Sequence, residues 1–396
     1  MRSIYSERRL QLVFGVTMMG VMGVSLISPI FPAVVEHFEI SERQVGLLVT
    51  AYTLPGIFVA LGIGVLADRF GRKVVLVPLL VLFGVAGTAG AFAPDFRTLV
   101  ALRVFQGVGG AGLVTLSITL IGDFYDGPQR GAAMGVNASV LSVATAVYPF
   151  LGGVVGTLGW YAPFLLFGIA VPIAFLALFV LDEPTPETPV TLREYADRVA
   201  TIAASRETIL GAFAAFLAFT LLYGGVITYL PVLLEQRFGS SSLVIGGVQS
   251  SMSVVVAIVA SQTGVLVKRF SERSLFTVGF FGYGSGLLAI PLAPDPAWFL
   301  VPMALFGLGH GLVVPTVQTF MTTLAPDQFR AATMSLYNIA LRLGQTLGPV
   351  SFGVVYVFGL DSMFFASGIV AIAGFFVLAA GFRFRPSDIP RRDSAP

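Results

Sequence analysis

Cysteine is absent from the 396 residues, and histidine occurs only twice. Disulfides and thiolate metal sites are thereby excluded, and two histidines fall short of an ordinary zinc site, so neither metal nor other cofactor is expected. Charge is scarce too. Asp, Glu, Lys and Arg make up 11% of the chain, against about 25% in soluble domains. No G-x-x-x-x-G-K-[ST] loop is present to cradle phosphates, which argues against an ATP-driven pump. The apolar stretches hold no carboxylate cluster and no Ser/His pair, so an enzyme is not expected either, and nucleic acid is not an expected partner.

What is abundant is apolar surface. Hydrophobic residues make up 56% of the chain, and the mean hydropathy is +0.89. A bilayer core of roughly 30 Å takes about 20 apolar residues per helix. Breaks at charges, Pro/Gly turns and polar clusters predict spans at 10–34, 44–66, 74–92, 98–121, 131–157 and 161–181, then 209–233, 243–266, 274–292, 297–323, 331–357 and 361–382. Continuous apolar runs exclude a β-barrel, whose strands alternate. The expected fold is an all-α membrane protein of twelve helices, and the first span reads as retained. The expected division is an N-terminal six-helix bundle over 1–181, a linker over 182–208, a C-terminal bundle over 209–382 and a tail over 383–396.

Orientation follows from basic residues, which short cytoplasmic loops retain. With both termini inside, the inner segments hold eighteen Lys and Arg, the outer loops hold Arg43, Arg97 and Arg237, and Arg103 and Arg342 fall within spans, accounting for all 23. Trp160 and Trp298 land at outer ends, where amphipathic rings prefer the headgroup level. In the linker, Thr191 and Glu194 form a capping box ahead of Leu192, Tyr195, Val199 and Ile202 on one stripe, predicting a helix on the inner membrane surface.

The halves repeat at a shift of 200 residues. Gly64 to Lys73 reads GVLADRFGRK, and Gly264 to Arg273 reads GVLVKRFSER; Gly107, Gly109, Arg130, Met134, Pro149 and Gly153 return as Gly307, Gly309, Arg330, Met334, Pro349 and Gly353. Such repeats place a substrate site between the halves near mid-membrane, with transport by rocking of one half against the other. Interior charge marks that site by default, because an arginine inside a span costs roughly 2.5 to 3.5 kcal/mol on insertion scales. Arg103, with Gln106, and Arg342, with Asn338 and Gln345 on its stripe, are therefore candidate cavity residues, as are Tyr52 and Tyr223 on its walls. Two unpaired arginines would call for an anionic neutraliser. No acid lies in the middle of a span, and His310 is the candidate for proton coupling.

Three motifs carry a family resemblance over the whole chain. The loop Gly64-Val-Leu-Ala-Asp68-Arg69-Phe-Gly71-Arg72-Lys73 fits G-x-x-x-D-R-x-G-R-R with Lys for the last Arg. Gly23, Pro29 and Pro32 fit l-G-x5-P-v-x-P, and Arg103, Gln106 and Gly107 fit R-x-x-Q-G. With these the chain resembles the major facilitator superfamily, and more narrowly its twelve-span drug:proton antiporters. The resemblance implies a latch in which Asp68 faces the inner end of span eleven and Arg72 reaches Asp123, with Gly64, Arg69 and Gly71 shaping the turn. It implies bends at Gly23, Pro29 and Pro32, and at the G-P-x-x-G-G position of span five, where Pro149, Gly152 and Gly153 stand but Tyr148 replaces the first glycine; span eleven keeps Gly348 and Pro349. Ser25 and Ser28 stand where many relatives carry a membrane carboxylate.

The expected function is secondary active transport of small amphipathic organic solutes, multidrug-type efflux by proton antiport. The rival keeps the fold and carries an anionic or zwitterionic solute or lipid-linked headgroup on Arg103 and Arg342, with or without ion coupling. The expected setting is a monomer in a prokaryotic inner membrane, its partners being the solute, protons and the lipid bilayer.

Overall fold

The computed structural model describes residues 7–181, 205–324 and 330–383. The expected linker helix and all but the first residue of the tail lie outside them. Among the described residues the chain is helical with no strand. Its elements are α1 (Arg8–His37), α2 (Glu42–Phe70), α3 (Arg72–Phe92), α4 (Phe96–Phe124), α5 (Gly127–Gly156) and α6 (Ala162–Val180), then α7 (Arg206–Phe238), α8 (Ser242–Leu266), α9 (Glu272–Leu292), α10 (Pro296–Thr323), α11 (Arg330–Val355) and α12 (Leu360–Phe382). Ten of them are long and apolar enough to cross a membrane. The other two, α2 and α11, are 29 and 26 residues long and face each other between the halves.

Local chemistry sets the ends. Ser41 and Gln44 form a capping box at the start of α2, satisfying amides that the first turn leaves free. The Asp95 carboxylate accepts from the Thr98 amide at 2.8 Å and the Asp295 carboxylate from the Ala297 amide at 2.9 Å, so the 200-residue repeat extends to the helix caps. Gly71 turns the chain from α2 into α3 at φ +106°, a conformation that an L side chain enters only with strain. The Asp68 loop therefore includes a glycine for a backbone reason.

Apolar side chains cover the outside: Phe179 is 85% exposed and Phe92 is 74% exposed, as lipid contact requires. Inside the halves, small residues let the helices approach. Gly279, Gly282 and Gly286 of α9 pack on Gly309 and Phe306 of α10, the arrangement that drives helix association where no hydrophobic force separates helix from lipid.

The halves touch along one end only. The described hydrogen bonds between them join residues 28–153 of the first half to residues 227–346 of the second, away from the loop that carries Asp68. Toward the other end, which bears Arg69, Lys268 and Arg269, a side chain added at Gly62, Gly131, Gly135 or Gly264 would meet nothing. The seam is thus closed at one end and open at the basic end.

Candidate functional site

Helix irregularity supplies the polar groups at the closed end. In α1, Pro29 opens a 3-10 turn over Ser28–Ile30, and Pro32 sits in the first turn of the helical segment Phe31–His37. Opposite it, α7 widens into a π-helix over Leu222–Tyr229, a feature common at functional positions. Ser28 Oγ donates to the Ile227 carbonyl at 2.5 Å, and Gln249 Nε2 donates to Ser28 Oγ at 2.7 Å and to the Val226 carbonyl at 2.8 Å. Thr50 donates to the Thr346 carbonyl at 3.0 Å and Thr346 to Thr53 Oγ1 at 3.0 Å. These bonds are neutral, each contributing about 0.5–1.5 kcal/mol net.

Between them sit two related glycine–proline contacts. Gly46 of α2 lies against Pro349 of α11, and Gly246 of α8 lies against Pro149 of α5. Gly153 packs on the same stretch of α8, while Gly152 meets the Leu26 carbonyl of α1 and Gly348 meets Thr220 and Gly224 of α7. The prolines expected as bends thus stand at the seam. Tyr148, standing where the antiporter pattern has glycine, donates to the Met18 carbonyl at 3.1 Å and fastens α5 to α1.

Arg103 corrects an expectation. It is 1% exposed and does not face a cavity. Its guanidinium donates to the Gly23 carbonyl at 2.7 Å, the Leu48 carbonyl at 3.2 Å and Gln106 Oε1 at 2.5 Å. Its Cζ lies 4.5 Å from the centre of the Tyr52 ring, a favourable cation–π distance. Carbonyls and a ring face desolvate this cation together, so Arg103, Gln106, Tyr52 and Gly23 form an internal brace of the first half. Gly107 belongs to it, since a Cβ there would collide with the Tyr52 carbonyl.

Arg342 behaves differently. Half-buried in α11, it crosses the seam and donates through Nη2 to the Ala111 carbonyl at 3.4 Å, where α4 breaks between Gly110 and Leu113. Nη1 would stand 3.3 Å from a Cβ on Gly56, so that glycine makes room for the head group. Among the described residues it has no acidic partner. Along the same stripe Asn338 is exposed on the open side, and Gln345 is buried with Oε1 unpaired. Tyr52 and Tyr223 both lie within electrostatic reach of Arg342.

His310 of α10 is half-buried, with Nδ1 2.7 Å from the Tyr283 hydroxyl and its ring 5.8 Å from that of Phe219. Every carboxylate in the described helices lies near a helix end. At the basic end Arg72 donates through Nε to Asp123 Oδ2 at 3.1 Å and through Nη1 to Asp68 Oδ1, bridging α2, α3 and α4. Arg69 is exposed beside Phe70, with Gly64 a turn and a half back along α2. The expected meeting of Asp68 with the end of α11 falls on side chains outside the described residues. In the second half Glu272 stands at the position matching Arg72, and Arg273, matching Lys73, stacks on Phe320 and Phe382 at 5.2 Å from each ring centre.

Comparison with known proteins follows the same lines. The chain is 25% identical over 383 residues to the bacillibactin exporter of Bacillus subtilis, covering 90% of this chain and 92% of that one. It is 25% identical over 357 residues to the class B tetracycline resistance protein of Escherichia coli, covering 86% of each. Among solved structures, a bacterial homologue of the human lysosomal transporter Spinster, in an inward-facing and occupied conformation, superposes with a TM-score of 0.82 at 18% identity over 96% of this chain and 98% of that one. The family model for the Major Facilitator Superfamily matches residues 13–349 and 236–395. The chain is an integral membrane transporter and belongs to the Major Facilitator Superfamily.

Proposed function

We propose that the protein exports small amphipathic organic solutes from a bacterial cell by alternating access, and that Arg342 binds an acidic group of the cargo. The observation that carries this reading is Arg342 itself, an interior cation at the floor of the open cleft with one long hydrogen bond and, among the described residues, no acidic partner. A cation left so in a membrane interior is costly unless something neutralises it. Arg103 no longer competes for that role, because carbonyls already hold it. Cargo names among the relatives run parallel: one exports bacillibactin, another is a tetracycline resistance protein.

The positive-inside rule puts the basic end in the cytoplasm, so the cleft opens inward and both termini are cytoplasmic. Solute entering there reaches Arg342 and Asn338. The Asp68–Arg72–Asp123 bridge is already made within the first half while the basic end is open. It presents a preset edge that the second half meets when that end closes, and the opposite end then releases its neutral bonds and glycine–proline contacts. Proton antiport falls to His310, the titratable ring held by Tyr283 in the second half. The monomer is the transporting unit, with protons and the bilayer as its other partners.

The test is counterflow in proteoliposomes with an aromatic carboxylate and its uncharged amide. Exchange of the carboxylate at several times the rate of the amide supports the reading; equal rates contradict it.

A further inference from the structure

A groove of about 310 Å³ runs between α1 and α6, on the outer surface of the first half and away from the seam. Its walls are Leu12, Gly15, Ile173, Leu176 and Val180, and Arg8 and Gln11 stand at its mouth. Arg8 opens α1 and Val180 closes α6, so the mouth lies at the basic end. Gly15 is seven residues further along α1, which at 1.5 Å per residue is about 10 Å deeper. The groove therefore descends from headgroup level into the hydrocarbon. Gly15 leaves its floor open: a Cβ there would already stand in van der Waals contact with Ile173 Cδ1 at 3.7 Å, and a longer side chain would fill the groove.

Of the residues that line the groove, Arg8 carries the charge. Arg8 is exposed and has no acidic partner among the described residues, since the neighbouring Glu7 accepts from the Tyr125 hydroxyl at 2.7 Å. Lys73 Nζ donates to the Leu181 carbonyl at 3.0 Å, next to Val180, which brings a second cation to the end of α6. The repeat gives an internal comparison. The position matching Arg8 is Thr208, 1% exposed, and the position matching Gln11 is Gly211, packed against Met321. The second half thus lacks the opening, and its cation at that end, the exposed Arg206, stands two residues earlier at the start of α7.

We infer that this groove is a site for one anionic phospholipid of the leaflet at the basic end, its phosphate at Arg8 and an acyl chain lying between α1 and α6 over Gly15. The bilayer supplies the ligand, the apolar walls fit a chain, and Arg8 selects the headgroup. One basic side chain near an anionic headgroup corresponds to about a fivefold change in affinity.

Native mass spectrometry of the full chain, released from micelles holding equal phosphatidylglycerol and phosphatidylcholine, tests this. One phosphatidylglycerol should be retained about fivefold more tightly than phosphatidylcholine. Arg8→Gln should abolish the preference, and Gly15→Leu should lower retention of both lipids by filling the groove. Arg269→Gln, which removes a charge from the same end outside the groove, should preserve the preference, and soluble glycerol phosphate should displace nothing. Equal retention of the two lipids by the unmodified chain, a preference that survives Arg8→Gln, or full retention in Gly15→Leu would overturn the site. Equal losses from Arg8→Gln and Arg269→Gln would show general surface charge instead, and displacement by glycerol phosphate would show a free-phosphate site.

Discussion

Gly46 of α2 rests on Pro349 of α11 with 3.2 Å between the place a Cβ would take and the proline Cβ. Two hundred residues on, Gly246 meets the Pro149 backbone, whose carbonyl oxygen would collide with a Cβ placed there. A pair of proline positions, each seated where a partner helix lacks a side chain, thus clasps the closed end about the pseudo-twofold axis. Among the described residues no ion pair joins the halves beside it.

A side chain forced into the clasp should drive the closed end open. Overpacking costs typically 1–3 kcal/mol, and 1.4 kcal/mol is a factor of ten in an equilibrium. The natural absence of cysteine makes a single reporter clean. With Ile245→Cys, 1% exposed at this end, labelling by an impermeant maleimide should rise about tenfold in Gly46→Leu or Gly246→Leu. Unchanged labelling in well-folded protein would refute the clasp.

The basic-end bridge makes a separate prediction. Arg72 uses two different nitrogens for two carboxylates, a fork that the point charge of lysine does not reproduce. Arg72→Lys and Asp68→Asn should each slow transport by about tenfold, equivalent to ~1.4 kcal/mol, with expression and monodispersity kept. Full transport rates in both variants would remove the reason for calling this contact a latch.

Arg103 and Arg342 should part company on mutation. Replacing Arg103 by Ala strands the Gly23 and Leu48 carbonyls and Gln106 Oε1, at ~1–3 kcal/mol for each unsatisfied group. Thermal unfolding in detergent should show a large loss of stability, while Arg342→Gln should leave it nearly unchanged. The reverse ranking would undo the assignment of the two roles.

Much of this was legible in the sequence, and the exceptions have physical causes. The observed helices fall within a few residues of the predicted spans because apolar runs and breaking residues are local properties. Arg72 reaching Asp123 followed from the loop motif. Arg103 did not read correctly, because a sequence shows an arginine in a span but not the Gly23 carbonyl that the bend in α1 turns toward it. The π-helix over Leu222–Tyr229 leaves no trace in periodicity. Gly46 and Gly246 were within reach, since the 200-residue register pairs them, but their proline partners come from other helices and only packing reveals that.

Outside the spans, Tyr125 gives a pH test. Burial first, then its hydrogen bond to Glu7 and that carboxylate's charge, push the phenol up to about 12 from 10.0. A raised phenol pKa means that the folded chain holds its proton longer than the unfolded chain. The stabilisation is therefore complete below about pH 10 and is lost as pH rises toward 12. Tyr125→Phe should flatten the stability profile over that window; an unchanged slope would show that the Glu7 contact does not persist.

The most direct test of the central claim is transport of the matched carboxylate and amide by Arg342→Gln and Arg342→Lys in proteoliposomes. Binding of an acidic group predicts that Arg342→Gln loses carboxylate transport at least tenfold and keeps the amide rate, with Arg342→Lys in between. Parallel losses for both solutes, or carboxylate transport untouched by Arg342→Gln, would contradict it.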